Sequence, residues 1–308
     1  MKLSVSLRTR FPAGLAEEAA RWIPERARAA RDAGLDGLYV GDHHCTGPAT
    51  AYFQNVPLLG RLLAEWDDRP FGGLFLLPLW NPVLLAEQVG TLASLSEGPF
   101  ILQAAIGDTS RPQFPGLGVP TTGRVRRFEV GLGIVRRLLD GQQVTDDTGT
   151  FPVRDACLSP RPPRPVQYWI GATASAGIDR AARLGDGWEC NAHVVPEEAA
   201  AQAAMYLEAC RRYGRPTGVV AIRRDVHVAP SSTEAGWLAD RAVAGGYRGF
   251  RREALVYGDV GGVTAQLRAY AHMGYTEVIV RHFADDQAAV LTSLRLLGEV
   301  RAALAERP

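Results

Sequence analysis

The chain has 308 residues, of which 46% are hydrophobic and 22% charged, enough apolar material for one large core or two small ones. A net charge of +1 leaves no basic surplus to hold a phosphate backbone, so nucleic acid is not an expected partner. No apolar run approaches the roughly 20 residues a bilayer span requires, and Met1–Leu7 opens as strand-like alternation without a signal-peptide layout; a soluble, cytoplasmic protein without a membrane partner is expected.

Lys2–Leu7 reads as a strand, and Leu15–Asp32 as a helix stopped by Ala33-Gly34. A second strand, Gly37–Val40, runs straight into Asp42-His43-His44. Val56–Trp66 reads as a helix, and Phe71–Leu77 as a strand buried on both faces and ended by Pro78. Val83–Leu95 is a helix with Leu85, Val89, Leu92 and Leu95 on one stripe and Pro82 at its first turn. Phe100–Ile106 is a fourth strand. Residues 107–122 form a Gly- and Pro-rich loop, and Gly123–Asp140 a helix with Val125, Phe128, Leu132, Val135 and Leu139 on one face.

The stretch 142–165 breaks the rhythm. Asp146–Thr150 has the composition of a hairpin turn between short strands, and prolines crowd the end of the segment. Alternation then resumes. Val166–Ile170, Gly187–Cys190, Val219–Val228 and Thr276–Arg281 read as strands; the segments that open at Gly171–Gly177 and run over Pro196–Tyr213, Ser232–Gly245, Val260–Met273 and Ala288–Leu304 read as helices. About eight βα units in this length predict a single (β/α)8 TIM-barrel domain over residues 1–308, with insertions at about 107–122 and 142–165. A doubly wound open sheet would place a Gly-x-Gly-x-x-Gly turn after the first strand, and Arg8–Gly14 has none.

In a parallel α/β protein, chemistry sits at the carboxyl ends of the strands. Three places there carry suitable residues. Asp42, His43 and His44 can bind metal, act in acid–base catalysis, hydrogen-bond a polar ring, or form a structural pair with no chemistry. Adjacent side chains from one strand end point in opposite directions, so a metal would need further ligands. His193, His227, His272 and His282 pair with no carboxylate at metal-binding spacing, and Cys45, Cys157, Cys190 and Cys210 form no Cys-x-x-Cys, so no metal is expected. Gly171 to Gly177 (Gly171, Ala172, Thr173, Ala174, Ser175, Ala176, Gly177) is either an anion site at a helix start or an ordinary tight turn. Asp108, after the fourth strand, is either a proton-handling carboxylate beside the histidines or a solvated loop residue.

The chain resembles the bacterial luciferase-like superfamily of flavin- and deazaflavin-dependent oxidoreductases. The resemblance is carried in family order by Gly34–His44, Leu77–Gln88, Thr91–Gly98, Tyr168–Thr173 and Ala181–Trp188. It implies a (β/α)8 barrel, often a homodimer. It implies that Asp42 and His43 border the isoalloxazine or deazaflavin ring, with His44 a second histidine of the luciferase branch. Gly73-Leu74 matches a site where many members have a non-proline cis peptide, a bond that costs about 3 kcal/mol. Asp108 matches an acidic proton-handling residue, more often Glu, and Gly171–Gly177 the cofactor phosphate loop. Ile106 stands where the luciferases carry a phosphate-binding arginine, and Gly98-Pro99-Phe100 replaces a Gly-Gly-Arg or Gly-Arg pattern. The resemblance therefore favours coenzyme F-420, with hydride transfer to or from a small, largely apolar substrate and His43 and Asp108 handling protons. The alternative is an FMN-dependent monooxygenase that activates oxygen and is served by a separate flavin reductase. Tyr52, Phe53, Trp80, Phe114, Tyr247 and Tyr257 are candidate pocket aromatics or core residues. A non-catalytic flavin-binding barrel and a metal-dependent hydrolase are the readings from other classes.

Overall fold

The computed structural model describes residues 1–306. Its strands and helices in chain order are β1 (Lys2–Leu7), β2 (Arg10–Pro12), α1 (Ala16–Asp32), β3 (Leu38–Val40), β4 (Thr50–Tyr52), α2 (Asn55–Leu62), β5 (Phe71–Leu76), α3 (Pro82–Leu95), β6 (Phe100–Ala105), α4 (Gln113–Gly116) and α5 (Arg124–Leu139). There follow β7 (Gln167–Gly171), α6 (Ser175–Leu184), β8 (Gly187–Cys190), α7 (Pro196–Arg212), β9 (Val219–Val228), α8 (Ser232–Ala244), β10 (Leu255–Gly258), α9 (Val260–His272), β11 (Glu277–His282) and α10 (Gln287–Ala305). The main sheet runs β10-β9-β11-β1-β3-β5-β6-β7-β8, and a further β8–β9 pairing closes it into a ring of eight strands with β10 outside on β9. This is the (β/α)8 barrel that the sequence predicts.

The chain divides into two compact units, neither continuous in sequence. The first comprises Met1–Arg8, Arg21–Tyr39 and everything from Trp169 onward. It holds parallel ladders β1–β11, β11–β9, β9–β8, β8–β7 and β9–β10. One side of these strands meets helices: Arg224 of β9 lies over the ring of Tyr270 of α9 at 4.5 Å, and Ser293 of α10 bonds both His282 Nε2 at 3.0 Å and the Val228 amide at 2.9 Å. The second unit comprises Thr9–Ala20 and Val40–Tyr168. Here β5 runs parallel to β6, and β2 and β4 form a small antiparallel ribbon. Asn81 caps α3 by accepting from the amides of Val83 and Leu84, and Pro82 takes the first helical position, where a missing N–H costs nothing.

Several expectations need correction. In the 142–165 segment the turn at Asp146–Thr150 is present but the flanking strands are not: the antiparallel pairing is one isolated bridge, Val144–Ala156, and Asp146 holds the turn by accepting from Thr148 N, Thr148 Oγ1 and Phe151 N. On α3, Leu85, Val89 and Leu92 are buried, but Leu95, in the last turn, is 66% exposed. On α5, Val125 lies in the first turn and is also exposed. The cis peptide implied at Gly73-Leu74 is absent. Among the described residues the cis bond is Ser159–Pro160; Gly73 and Leu74 stay in regular register with Leu102 and Gln103, and Leu74 O accepts from Asn55 Nδ2 at 2.8 Å.

Candidate active site

In the second unit, β3 ends at Val40 and delivers Asp42 into full burial. A buried carboxylate must be hydrogen-bonded or it neutralises. Asp42 Oδ2 accepts from the Leu76 amide at 2.8 Å and from Trp80 Nε1 at 2.9 Å, which ties the end of β3 to the end of β5. Its other oxygen stands 3.1 Å from His44 Nε2, close enough for strong attraction but outside hydrogen-bond geometry. The His44 ring meets Trp80 edge-on at 5.7 Å. The two histidines are therefore anchored differently. His44 belongs to the Asp42–Trp80 cluster, whereas His43 is half-buried, meets Tyr52 edge-on at 5.4 Å, and has its backbone carbonyl held by Gln54 Nε2 at 3.0 Å. Of the candidate aromatics, the structure brings Tyr52 and Trp80 to the histidine pair and buries Phe114 completely. Asp108 lies in the loop after β6 and accepts from the Ser110 amide at 2.9 Å and Ser110 Oγ at 2.7 Å. The Ser110 hydroxyl, then the amide and Arg111, hold its carboxyl below the usual range.

In the first unit, Gly171–Gly177 joins β7 to α6. The N-cap residue is Ala174, which has no side-chain oxygen, so the first turn of α6 has no side-chain cap. Gly177 is required for the tightness of the turn: a Cβ there would lie 2.9 Å from the Ala172 Cβ. Ala174, Ser175 and Ala176 are exposed. An exposed helix start with uncapped N–H groups on a backbone that tolerates close approach suits a phosphate, so these residues fit a phosphate-bearing cofactor.

The sequence reading overlooked the charged inner side of this unit. By ladder register, Glu189 of β8, Arg223 and Asp225 of β9, and Glu277 and Arg281 of β11 share the side opposite the helices. Ser4 Oγ donates to Glu277 Oε1 at 2.6 Å, Tyr39 OH donates to the same oxygen at 3.1 Å, and Arg281 Nη2 donates to Ser6 Oγ at 2.6 Å. Burial pushes Glu189 up to about 7 against the pull of Arg223 and Arg281. Burial also acts on Asp225, but Arg223, Arg248 and Arg281 outweigh it and hold that carboxyl below its ordinary range. The available signal was charge at even spacing, hence on one face, within strands of apolar residues: Arg223/Asp225 two apart and Glu277/Arg281 four apart.

The sequence matches the family model described as luciferase-like monooxygenase over residues 1–277. The chain belongs to the luciferase-like monooxygenase family. Among curated relatives of this family, an F420-dependent glucose-6-phosphate dehydrogenase of Beutenbergia cavernae is 30% identical over 169 residues, 52% of this chain and 49% of that protein. The chain thus matches about half the length of that relative. Among solved structures, monooxygenase RslO1 from Streptomyces bottropensis superposes with a TM-score of 0.83 at 20% identity, covering 97% of this chain and 98% of the other. An F420-dependent secondary alcohol dehydrogenase in complex with an F420-acetone adduct gives 0.80 at 17% identity, covering 99% and 100%. These luciferase-like structures share the barrel. No helix among the described residues is long and apolar enough to cross a membrane.

Proposed function

We propose that this luciferase-like oxidoreductase uses the deazaflavin coenzyme F-420 to transfer hydride to or from a small organic substrate, with His43 as the acid–base group. The observation that carries the reading is the anchoring of Asp42 by Leu76 and Trp80, which fixes the strand end bearing His43. The F420-dependent relative supports the cofactor. So does the exposed, uncapped start of α6, which suits a phosphate.

When bound, the deazaflavin supplies a two-electron hydride donor or acceptor. Gly171–Gly177 binds its phosphate through first-turn N–H groups and the positive end of α6. Asp42 keeps the β3 end rigid and stands beside His44, which leaves His43 outside that cluster. His43 gives a proton to the substrate oxygen or nitrogen in the reducing direction and takes it back in the oxidising one. Asp108, with its carboxyl held down by Ser110, is a weak base near neutrality and contributes negative charge more readily than a proton.

The second reading is a monooxygenase that uses reduced FMN supplied by a separate flavin reductase. It draws on the His43-His44 pair, and Ile106 in place of a phosphate-binding arginine weighs against it. Anaerobic titrations with F-420 and FMN, each oxidised and reduced, separate the two. Tight binding of F-420 alone is the expected result. Tight binding of reduced FMN, followed by oxygen uptake on admission of air, establishes the second reading, and binding of neither overturns both.

A further inference from the structure

The inner side of the first unit leaves guanidinium donors without acceptors. Arg223 is the clearest case. Its Nε and Nη2 are shielded from solvent and make no hydrogen bond; the Asp225 Oδ1 atom, 3.5 Å from Nε, lies off the donor axis. Asp225 Oδ2 is already used, accepting from Tyr247 OH at 2.8 Å with Arg248 Nη1 at 3.7 Å. Arg281 lies opposite Asp225 in the β9–β11 register. Arg223, Arg248 and Arg281 hold the Asp225 carboxyl below its ordinary range, whereas burial pushes Glu189 up to about 7. Glu277 is also pushed up by burial. Arg248 feels the crowding: burial, then the charge of Arg223, lower its pKa.

A network built only for stability would spend its own donors, because buried guanidinium N–H groups without acceptors are costly. We propose that Arg223, flanked by Arg248 and Arg281, binds an oxyanion carried by the substrate, a carboxylate or a phosphate ester. This narrows the substrate class of the oxidoreductase reading above and rests on it for the identity of the bound molecule as substrate. A planar guanidinium meets either group with two parallel hydrogen bonds. At the neighbouring turn Tyr247–Gly249, Arg248 adopts φ +50° and its side chain is 35% exposed. A wholly apolar substrate would leave the shielded Nε and Nη2 of Arg223 short of acceptors.

The test titrates the full-length protein by calorimetry, without cofactor, with inorganic phosphate, benzoate and the neutral benzyl alcohol. Fluorescence titration with F-420 runs in parallel. Saturable binding of phosphate or benzoate is expected, weakened about tenfold or more in Arg223→Gln and less in Arg223→Lys, the scale of one lost charge-assisted pair. Benzyl alcohol should show no such dependence on Arg223, and F-420 affinity should stay within about twofold. The anion that binds more tightly identifies the group. If neither anion binds the wild type, or if Arg223→Gln binds both equally well, the proposal is overturned. Should Arg223→Gln fail to fold, Arg248→Ala on the exposed turn decides it: weaker anion binding supports the proposal and unchanged binding refutes it. Failure of F-420 to bind any form would sink the cofactor reading while the anion titrations still give their own answer.

Discussion

Replacing Asp42 with alanine removes the acceptor for two donors at once. The Leu76 amide sits at the buried end of β5, so its bond at 2.8 Å has no ready substitute in water. Trp80 is half-buried, so solvent recovers part of what its indole N–H loses. Hydrogen bonds to a charged acceptor contribute about 1.5–3 kcal/mol each. With the indole discounted, Asp42→Ala should destabilise the fold by roughly 3–4 kcal/mol, a large share of a typical total of about 5–15. Both donors use the same oxygen, so Asp42→Asn can keep both bonds without the charge and should cost about 1–2 kcal/mol. Urea unfolding followed by far-ultraviolet circular dichroism measures both. A double-mutant cycle with Trp80→Phe should return a coupling of about 1 kcal/mol or more, since the pair is in direct contact. A loss below about 1 kcal/mol in Asp42→Ala, with no coupling to Trp80, would refute the view that this carboxylate anchors the site.

Three further outcomes are expected. His43→Ala should cut turnover roughly 10²-fold or more, the scale of a lost acid–base group, with cofactor affinity within a few-fold; unchanged turnover removes His43 from the chemistry. Gly177→Ala should weaken cofactor binding measurably while leaving unfolding midpoints nearly intact, because the added methyl group would press on Ala172 and open the phosphate turn; equal affinity would argue against that loop. Burial, then the neighbouring His227, lowers the His282 pKa to about 3, so the unfolded chain takes up a proton near pH 6.5 that the folded chain refuses. Stability from this group is complete above about pH 6.5 and falls by roughly 1.4 kcal/mol per unit as pH drops toward 3. His282→Gln should flatten that slope in urea midpoints compared between pH 7.5 and 5.5, and parallel slopes would exclude the assignment.

The eight ring strands were legible because each combines β-branched or aromatic residues with a clear stop signal, and every one falls on its expected segment within one or two residues. The missed elements are short. Strand β10 is four residues preceded by Arg251, Arg252 and Glu253, and the β2–β4 ribbon pairs three residues with three; neither is long enough to display a period. Asp42-His43-His44 was visible as a group, yet the different anchoring of its two histidines depends on Trp80, which lies 38 positions from Asp42. The ionic inner side escaped because charges on a strand read as a solvent-exposed face, and the run Arg223-Arg224-Asp225 shows no clean alternation, whereas here Arg223 and Asp225 share the side turned inward with Glu277 and Arg281.

That inversion also bears on how the barrel finds its pairing. A hydrophobic strand can slip past its neighbour by one position and still bury apolar atoms on both sides. If β9 slipped by one residue, Ile222 and Val226 would exchange places with Arg223 and Asp225, and two charges would land against α9 and α10 without the acceptors they require. Misregistered closure is thus penalised by stranded charge as well as by lost packing, and the charged inner residues discriminate among possible barrels while the chain folds.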